Sequence, residues 1–534
     1  MGGAFGQFGG GPGGWGQIEP IEPYDPMFNP DWANASTNPF HRGQHWLMTT
    51  RVPHAWTMVG YDPNNPPEPN LTDPNRIIAF IDSGIDLDHI EFGGRPGTGG
   101  SRISAQSVSI FQENYPSGTQ NVCNCDSAVM TPAPEDTAPL IIGATSHGTL
   151  VAGIAAAEPN GIGMVGTCWD CGILVIRVFA YSPDAPCGGG SIGTLCRQSE
   201  LSIAASIRYA AGWDQSLNGG LGGYLEQPRA RIISISDQSQ GGFSGIGCTD
   251  NPAARPEIVA AIEEAYGQGC IIVVLAGNVN SVQPCWMTSD PVTEDPDDTQ
   301  CTPLAGWIPE EIQNGIAIHP KTIVVGGTCM WGTNWLCRSR INPLRSNVYI
   351  EPCCPLQDEN WCNAYYPSLP EGADPDRLPV LSVVAPMSHV FGTWGDGLWD
   401  EHTPLSNNDF GIPPAGTSFA TPQVAGIVAL MLRVNPNLTF EDVRHILEVT
   451  ATDIEDPGYD AKTGHGLVNA RAAVEYVIKM ALPANFNGDE SIDTLDAIDF
   501  LIAYGQGDLT ADLDLDGQHT EADLAIFLDS YLTD

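Results

Sequence analysis

The apolar run Ile77-Ile78-Ala79-Phe80-Ile81 is followed at once by Asp82-Ser83-Gly84-Ile85, so that a buried strand ends in a carboxylate and a tight turn. Further short apolar runs look like buried parallel strands, at residues 173–178, 232–235, 271–275 and 322–325. Helical patterns lie between these runs, at residues 147–157, 202–211, 256–266 and 421–434. Strands that alternate with helices predict a three-layer α/β domain with a mainly parallel sheet.

Composition divides the chain into four parts. Residues 1–43 are rich in Gly, Pro and Asn without apolar periodicity, which predicts a flexible arm. Residues 44–480 have the composition of a globular domain, residues 481–484 form a linker, and residues 485–534 form a small, very acidic unit. Within the large domain, four segments hold most of the Cys and Pro residues and are interpreted as inserted surface loops: 93–143, 180–198, 284–318 and 335–375.

The chain is strongly acidic, with 64 Asp and Glu against 21 Lys and Arg and a net charge of −43. Such a charge repels nucleic acid and anionic membrane surfaces, so neither is expected as a partner. It suits cation binding, although a solvated acidic surface explains most of it. No apolar run reaches the roughly 18 residues of a membrane span. The first residues lack the basic and apolar regions of a signal peptide, so export would require a signal that has been removed.

The 15 cysteines include three close pairs, at positions 123 and 125, 168 and 171, and 353 and 354. Disulfides and a metal site are the two interpretations. Cys168-Trp169-Asp170-Cys171 has no second ligand pair close by, which zinc sites usually have. Disulfides formed in an oxidising compartment are therefore favoured, and the odd count leaves at least one thiol free or bonded outside the chain.

Two other stretches place a reactive side chain at the start of a helix. Residues 146–153 read Ser-His-Gly-Thr-Leu-Val-Ala-Gly, and residues 416–422 read Gly-Thr-Ser-Phe-Ala-Thr-Pro, with Pro422 expected in the first helical turn. Singly, the three motifs have ordinary explanations: a strand-end turn, a structural histidine and a helix cap. In the order Asp, His, Ser and with these neighbours, they closely resemble the subtilisin-like serine protease family over most of residues 44–480.

The resemblance implies that Asp82, His147 and Ser418 form a catalytic triad. Ser418 would be the nucleophile, His147 the general base and then the acid, and Asp82 the group that orients the imidazole. The family places its oxyanion donor in a turn such as Ala276-Gly277-Asn278, so Asn278 is expected to serve with the backbone N–H of Ser418.

The same resemblance predicts substrate-binding residues after the strand at 232–235 and before Asn278. These are Ser236, Asp237 and Gly277. Asp237 near the primary pocket suggests a preference for basic side chains, but it could equally turn to solvent. Phe419 follows the nucleophile where many relatives carry methionine, the usual site of inactivating oxidation.

A calcium site is implied beside the His147 helix, because residues 158–164 match the length of a calcium loop in similar subtilisin-like enzymes. By this match, Glu91 supplies a carboxylate and Asn160 a side-chain oxygen. Three backbone carbonyls come from Glu158, Ile162 and Met164. The alternative is a plain turn without metal.

The acidic C-terminal unit holds two 12-residue segments with oxygen side chains at loop positions 1, 3, 5 and 12, the spacing of a Ca²⁺ loop. The candidate ligands are Asn485, Asn487, Asp489, Ser491, Asp493 and Asp496 in the first loop, and Asp512, Asp514, Asp516, Gln518 and Asp523 in the second. Apolar helices follow at residues 497–504 and 524–531. The paired half-EF-hands resemble a type I dockerin, a small all-α domain.

Dockerins bind cohesin modules through residues that are often Ser-Thr, whereas the corresponding pairs here are Thr494-Leu495 and Glu521-Ala522. Both a cohesin-like partner and intramolecular docking of this unit therefore remain open.

Together these features predict a secreted serine endopeptidase that cleaves polypeptides through an acyl-enzyme and is stabilised by Ca²⁺. One alternative is a catalytically silent scaffold or adhesion protein that acts through its C-terminal module. Another is an esterase, against which the absence of a Gly-x-Ser-x-Gly elbow around Ser418 argues.

Overall fold

The computed structural model describes most of the large domain and of the C-terminal unit. The described residues are 44–93, 100–112, 128–131, 147–178, 180–181, 195–196, 200–236, 256–276, 319–330, 350–352, 381–387, 390, 392–394, 398–399, 416–454, 457–459, 463–487, 491–507, 509–513 and 518–533. The predicted arm at 1–43 and most of the four predicted insertions lie outside them.

Helices and short strands alternate along the chain. The strands are β1 Ile77–Asp82, β2 Val108–Gln112, β3 Ala128–Thr131, β4 Gly172–Arg177, β5 Ala180–Tyr181, β6 Leu195–Cys196, β7 Trp213–Asp214, β8 Gly223–Tyr224, β9 Ile232–Ile235, β10 Ile271–Leu275, β11 Ile323–Met330, β12 Ile350–Pro352, β13 Val383–Pro386, β14 Thr393–Trp394 and β15 Leu398–Trp399. The helices are α1 His45–Thr49, α2 Val52–Met58, α3 His147–Ala156, α4 Glu200–Ala210, α5 Pro256–Gly267, α6 Thr417–Val434, α7 Phe440–Val449, α8 Ala470–Ala481, α9 Thr494–Gln506 and α10 Glu521–Thr533.

One mainly parallel sheet organises the large domain. Its strand order in the described chain is β12-β11-β10-β9-β1-β4-β2-β3, with β13 also paired to β11. The pairs β11–β12 and β2–β3 are antiparallel, and the remaining neighbours are parallel. The five apolar runs recognised in the sequence all lie in strands of this sheet, because a strand covered on both faces must be apolar throughout.

Helices cover both faces of the sheet and bury alternate residues of each strand. Ile78 and Phe80 pack on one side with α2, α3, α6 and α8, whereas Ile77, Ala79 and Ile81 pack on the other with α4 and α5. The period of two in the strand places successive side chains on opposite faces. The predicted three-layer α/β domain with a mainly parallel sheet is confirmed.

Part of the first predicted insertion, 93–143, is not a surface loop. Residues 108–112 form β2 beside β4, and Arg102, Ile103 and Ile110 are buried. The sequence signal failed because polar residues such as Ser104, Ser107 and Ser109 break the apolar run, although all three are buried. Ser107 Oγ accepts a hydrogen bond from Val175 N at 3.0 Å, which explains how one of them is accommodated.

The C-terminal unit contains α9 and α10 around a small aromatic core. The rings of Phe500 and Phe527 stack with their centres 4.2 Å apart, and Phe486 meets Phe500 edge-on. Both helices begin three residues earlier than the apolar pattern indicated. The reason for α9 is a capping box, in which Asp493 accepts from the helix backbone while Asp496 accepts from the N–H of Asp493.

The favoured interpretation of one cysteine pair is confirmed, because Cys168 and Cys171 form a disulfide. Among the described residues Cys270 is a free, buried thiol, and burial raises its pKa to about 12.

In the described chain one helix, α6, is long and apolar enough to cross a membrane. Its 18 residues reach the length of a span, which no uninterrupted apolar run in the sequence does. However, 94% of it is buried within the protein, as befits a core helix.

Candidate active site

Asp82 is the last residue of β1 and marks the centre of the candidate site. The chain leaves β1 towards β4 on one side and later returns to β9 on the other, so the order of connections reverses at β1. In open α/β sheets the crevice at the carboxyl ends of strands beside such a reversal is the usual ligand site. Asp82 is therefore both buried and next to the crevice.

His147 is held by both carboxylate oxygens of Asp82. Its Nδ1 lies 2.8 Å from Oδ1 and 3.0 Å from Oδ2, while the backbone N–H of Ser83 donates to Oδ1 at 2.7 Å. The Asp82 side chain is almost fully buried and that of His147 is 36% exposed, so one edge of the imidazole is fixed and the other remains accessible. This arrangement selects the tautomer with a proton on Nδ1.

Two small residues bring the strand end and the histidine helix together. The backbone N–H of Gly148 donates to Ser83 Oγ at 2.9 Å. A Cβ on Gly148 would lie 2.1 Å from the carbonyl oxygen of Gly84, so only glycine fits at this crossing. Ser83 was not among the predicted site residues, yet it joins β1 to α3. The sequence feature that could have identified Ser83 is its position directly after Asp82 and before Gly84, which has a positive φ.

Ser418 is the second residue of α6 and is buried near the same point. The ring of Phe419, its neighbour, lies 5.8 Å from the imidazole of His147. The backbone N–H of Gly416, which precedes the helix, donates to Met387 O at 2.9 Å and fixes the entry of the chain. Because α6 has 18 residues and Ser418 lies in its first turn, the positive end of the helix dipole favours negative charge there.

Pro422 lies inside α6 as its sixth residue, not in the first turn as expected. A proline has no N–H, so the carbonyl of Ser418 loses its usual intrahelical donor. The buried amide of Gln423 binds the next carbonyl along the helix, since its Nε2 donates to Phe419 O at 2.8 Å and also to Pro386 O at 2.7 Å. The first turn of α6 is thus held partly by side-chain hydrogen bonds.

Of the predicted substrate and oxyanion residues, Ser236 is the one that the structure describes. Ser236 is buried and follows β9, the neighbour of β1. Asp237, Gly277 and Asn278 lie outside the described residues; Ala276, the last described residue before Gly277, donates its N–H to Val325 O at 2.8 Å. Their predicted roles therefore stay predictions.

Residues 73–466 match the model of the Peptidase S8 family, described as the subtilase family. The chain belongs to the subtilase family. Fervidolysin of Fervidobacterium pennivorans is 26% identical over 403 residues, which are 75% of this chain and 41% of that protein. A calcium-dependent protease of Trichormus variabilis is 26% identical over 428 residues, which are 76% and 46% of the two chains.

This subtilase thus spans less than half of the length of those two relatives. The crystal structure of fervidolysin covers 86% of it with 22% identity and a TM-score of 0.46.

The loop after α3 in this subtilase gathers most of the predicted calcium ligands around Glu91. Glu91 is completely buried; Oε1 accepts from Met164 N at 2.9 Å, and Oε2 lies 3.4 Å from Asn160 Nδ2. Glu158 N donates to the carbonyl of Glu91 at 2.9 Å, and Ile162 N donates to Asn160 Oδ1 at 2.8 Å. The carboxylate of Glu91, the amide oxygen of Asn160 and the carbonyls of the loop are the oxygen types that Ca²⁺ prefers, while in this structure the amide nitrogen of Asn160 faces Glu91.

The two C-terminal loops also hold buried carboxylates. Asp496, at position 12 of the first loop, accepts from Asn487 N at 3.0 Å, and Asp523, at position 12 of the second, accepts from Leu513 N at 2.7 Å. Asp496, Asp512 and Asp523 are completely buried, and residues 482–534 contain no Lys or Arg. Buried carboxylates are costly unless a cation balances them, so these loops fit Ca²⁺.

The remaining predicted ligands divide into two groups. Asn485, Ser491, Asp493 and Gln518 belong to described parts of the two loops. Asp489, Asp514 and Asp516 lie outside the described residues.

Proposed function

We propose that this chain is a secreted serine endopeptidase that hydrolyses polypeptides through an acyl-enzyme on Ser418. The observation that carries the proposal is the hydrogen-bonded pair of Asp82 and His147 beside the first turn of α6, in which Ser418 is the second residue. Membership of the subtilase family supports it. The Cys168–Cys171 disulfide agrees with an oxidising, extracellular setting.

The proposed chemistry follows from how His147 is held. Since Asp82 occupies Nδ1, Nε2 accepts the hydroxyl proton of Ser418 while Oγ attacks the scissile carbonyl carbon. His147 then gives this proton to the leaving amine, and the C–N bond breaks. A water repeats the sequence on the acyl-enzyme, releasing the acid and restoring Ser418. Asp82 stabilises the imidazolium of both steps without taking the proton itself.

Two further groups complete the proposed reaction. The backbone N–H of Ser418 and the amide of Asn278 would donate to the oxyanion of each tetrahedral intermediate. An extended substrate would pair with the backbone beyond β9, near Ser236 and Gly277. Asp237 would favour basic side chains next to the scissile bond, which cleavage of a peptide library can test: no enrichment of Arg or Lys would remove that preference.

Calcium is proposed as a structural ion at Glu91 with residues 158–164 and in both C-terminal loops. When bound, it supplies positive charge that balances buried carboxylates. The C-terminal unit, similar to a dockerin, is proposed to serve either a cohesin-like partner or its own chain.

Labelling with a fluorophosphonate probe tests the nucleophile. We expect rapid labelling of the wild-type protein, none of Ser418→Ala and slow labelling of His147→Ala. Peptide hydrolysis by the Ser418 variant should fall by a factor on the order of 10⁶, the size known for subtilisin itself. Equal labelling of wild type and Ser418→Ala would contradict the assignment, and an inert but folded wild type would favour the silent scaffold.

A further inference from the structure

The C-terminal unit touches the large domain along the helix pair α7 and α8. The hydroxyl of Tyr476 donates to the backbone carbonyl of Asp512 at 2.9 Å. Nε2 of His445 lies 3.9 Å from Asp512 Oδ2. The ammonium of Lys479 lies 4.6 Å from the centre of the Phe486 ring. Three different kinds of interaction therefore join the two parts of the chain.

The contact is buried like the interior of a domain. Tyr476 is 3% exposed and Asp512 is completely buried. Lys479 is only 8% exposed, which is unusual for lysine, and it forms an ion pair with Glu475 at 3.1 Å. A buried ammonium over an aromatic face is held more strongly than one in water. The burial of these polar groups indicates a specific interface.

Charge also favours this partner over an accidental one. Residues 482–534 have many carboxylates and no Lys or Arg. On the facing helices, Lys479 supplies a cation and His445 an imidazole that points towards Asp512. Charge complementarity of this kind selects partner and orientation. The acidic unit thus faces two basic side chains of its own chain, of which Lys479 is also paired with Glu475.

Helix α8 links this interface to the helix that carries Ser418. Val474 and Val477 of α8 belong to the same buried core as Val424 and Ile427 of α6. The N–H of Ala470, the first residue of α8, donates to Thr50 O at 2.8 Å and ties the helix to the segment before α2. Contacts that hold α8 in place therefore also stabilise the helix layer that contains α6.

We propose that the C-terminal unit is an intramolecular brace, which docks through Asp512 on Tyr476 and His445 and through Phe486 on Lys479, and which stabilises the peptidase domain through α8. Asp512 is also position 1 of the second loop, so Ca²⁺ bound there would fix the residue whose backbone carbonyl accepts from Tyr476, and binding and docking would strengthen each other. The coupling between Ca²⁺ binding and docking rests on the proposed calcium sites, whereas the docking itself does not.

Hydrogen exchange of the full chain, followed by mass spectrometry, tests the brace. Tyr476→Phe removes only the hydroxyl, and we expect exchange in residues 509–513 and in α8 to become roughly three- to tenfold faster, the size of one lost hydrogen bond. Lys479→Met keeps the apolar stem and should act in the same direction. Tyr531→Phe is the matched control, since that ring stacks on Phe527 inside the C-terminal core. Wild-type exchange in both interface variants would overturn the brace.

Adding Ca²⁺ alone separates docking from metal binding. If the unit docks and Ca²⁺ binding strengthens the docking, Ca²⁺ slows hydrogen exchange in α8 of the wild-type protein and slows it less in Tyr476→Phe. Equal slowing in the two proteins overturns the coupling but leaves the calcium sites standing. No effect of Ca²⁺ in either protein overturns the calcium sites, and the difference between Tyr476→Phe and wild type at fixed Ca²⁺ still decides the docking.

Discussion

At the scale of single residues, the site depends on a contact at Gly148 that leaves no space for a side chain. Gly148 crosses the strand-end turn so closely that its Cα hydrogen faces the carbonyl of Gly84. The same residue donates its N–H to Ser83 Oγ. A side chain added here must push α3 away from β1, and with it His147 away from Asp82.

Gly148→Ala is therefore expected to lower kcat/KM by at least about 100-fold, because displacement of a catalytic group by about 1 Å costs this much. Peptide hydrolysis and thermal unfolding measure the effect. Gly267→Ala is the matched control: nothing lies within 4 Å of a Cβ at Gly267, so activity should not change. Wild-type activity in Gly148→Ala would contradict the crossing geometry.

Phe419 lies beside His147, where a thioether would expose the active site to oxidation. We expect the wild-type enzyme to keep its activity in dilute peroxide and Phe419→Met to lose most of it under the same conditions. Residual activity against time of exposure measures this, with mass spectrometry to locate the oxidised methionine. Rapid inactivation of the wild type without oxidation of its other methionines would contradict the expectation.

At the scale of elements, Asp170 joins segments that are distant in sequence. Its carboxylate accepts hydrogen bonds from Arg76 before β1, from Arg433 near the end of α6 and from the hydroxyl of Tyr61 after α2. The Cys168–Cys171 disulfide closes the turn that presents it. The Tyr61 ring also stacks on Trp169 at 5.0 Å, so charge and packing act at one point.

Asp170→Asn should lower the free energy of unfolding by about 3 kcal/mol, because two partly buried guanidinium groups lose their counter-charge. Urea denaturation measures this change. Asp214→Asn serves as the control: the Asp214 side chain is 31% exposed and Arg229 keeps its hydrogen bonds to the carbonyls of Tyr209 and Trp213, so the loss of this pair should be hardly detectable. Equal stabilities of the two variants would show that Asp170 does not join the elements as described.

The short helix α2 makes the protein sensitive to acid through His54. Burial, together with Arg51 and Arg471, lowers the pKa of His54 from 6.5 to about 4, and its Nδ1 is buried without a hydrogen-bond partner among the described residues. Between these two pH values the unfolded chain binds a proton that the folded protein excludes. The contribution to stability is therefore complete above pH 6.5 and is lost as the pH falls towards 4.

With allowance for partial exposure, His54→Gln should recover about 1 kcal/mol of the stability that the wild type loses between pH 7 and pH 5. Urea denaturation at the two pH values gives this difference, and the midpoint at pH 7 serves as the internal reference. The same pH dependence in variant and wild type would assign the acid sensitivity to other groups.

At the scale of the whole molecule, buried carboxylates are concentrated in places that cations would fill. Glu91 lies against the loop after α3, and Asp496, Asp512 and Asp523 lie in the C-terminal unit. A ligand that binds only the folded state at 100 times its Kd stabilises that state by about 2.7 kcal/mol per site. Much of the stability of the protein should therefore depend on calcium.

A chelator should lower the thermal unfolding temperature and calcium should restore it. Glu91→Gln is expected to lose the response of the peptidase domain, whereas Asp523→Asn is expected to lose that of the C-terminal unit. Calorimetry of the full chain distinguishes the two transitions. Identical unfolding curves with chelator and with calcium would refute the calcium assignment.

The sequence alone predicted the features that depend on neighbouring residues. Apolar runs such as residues 232–235 and 271–275 are strands to the residue, because a strand buried on both faces needs no partner to be recognised. It also named Asp82, His147 and Ser418, through motifs that resemble those of subtilases. It misjudged residues 100–112, where buried serines interrupt the apolar pattern, and the place of Pro422, because α6 begins at Thr417 and so makes the proline its sixth residue.

Only the tertiary structure decided which distant groups meet. Nothing in the local pattern tells that Ser83 accepts from Gly148, that Asp170 binds Arg433, or that Tyr476 donates to Asp512. Periodicity determines which face of an element is buried, since it depends on residues a few positions apart. The angle and distance at which two elements pack depend on the whole core, and it is those two quantities that bring an imidazole to a carboxylate and an acidic loop to a tyrosine.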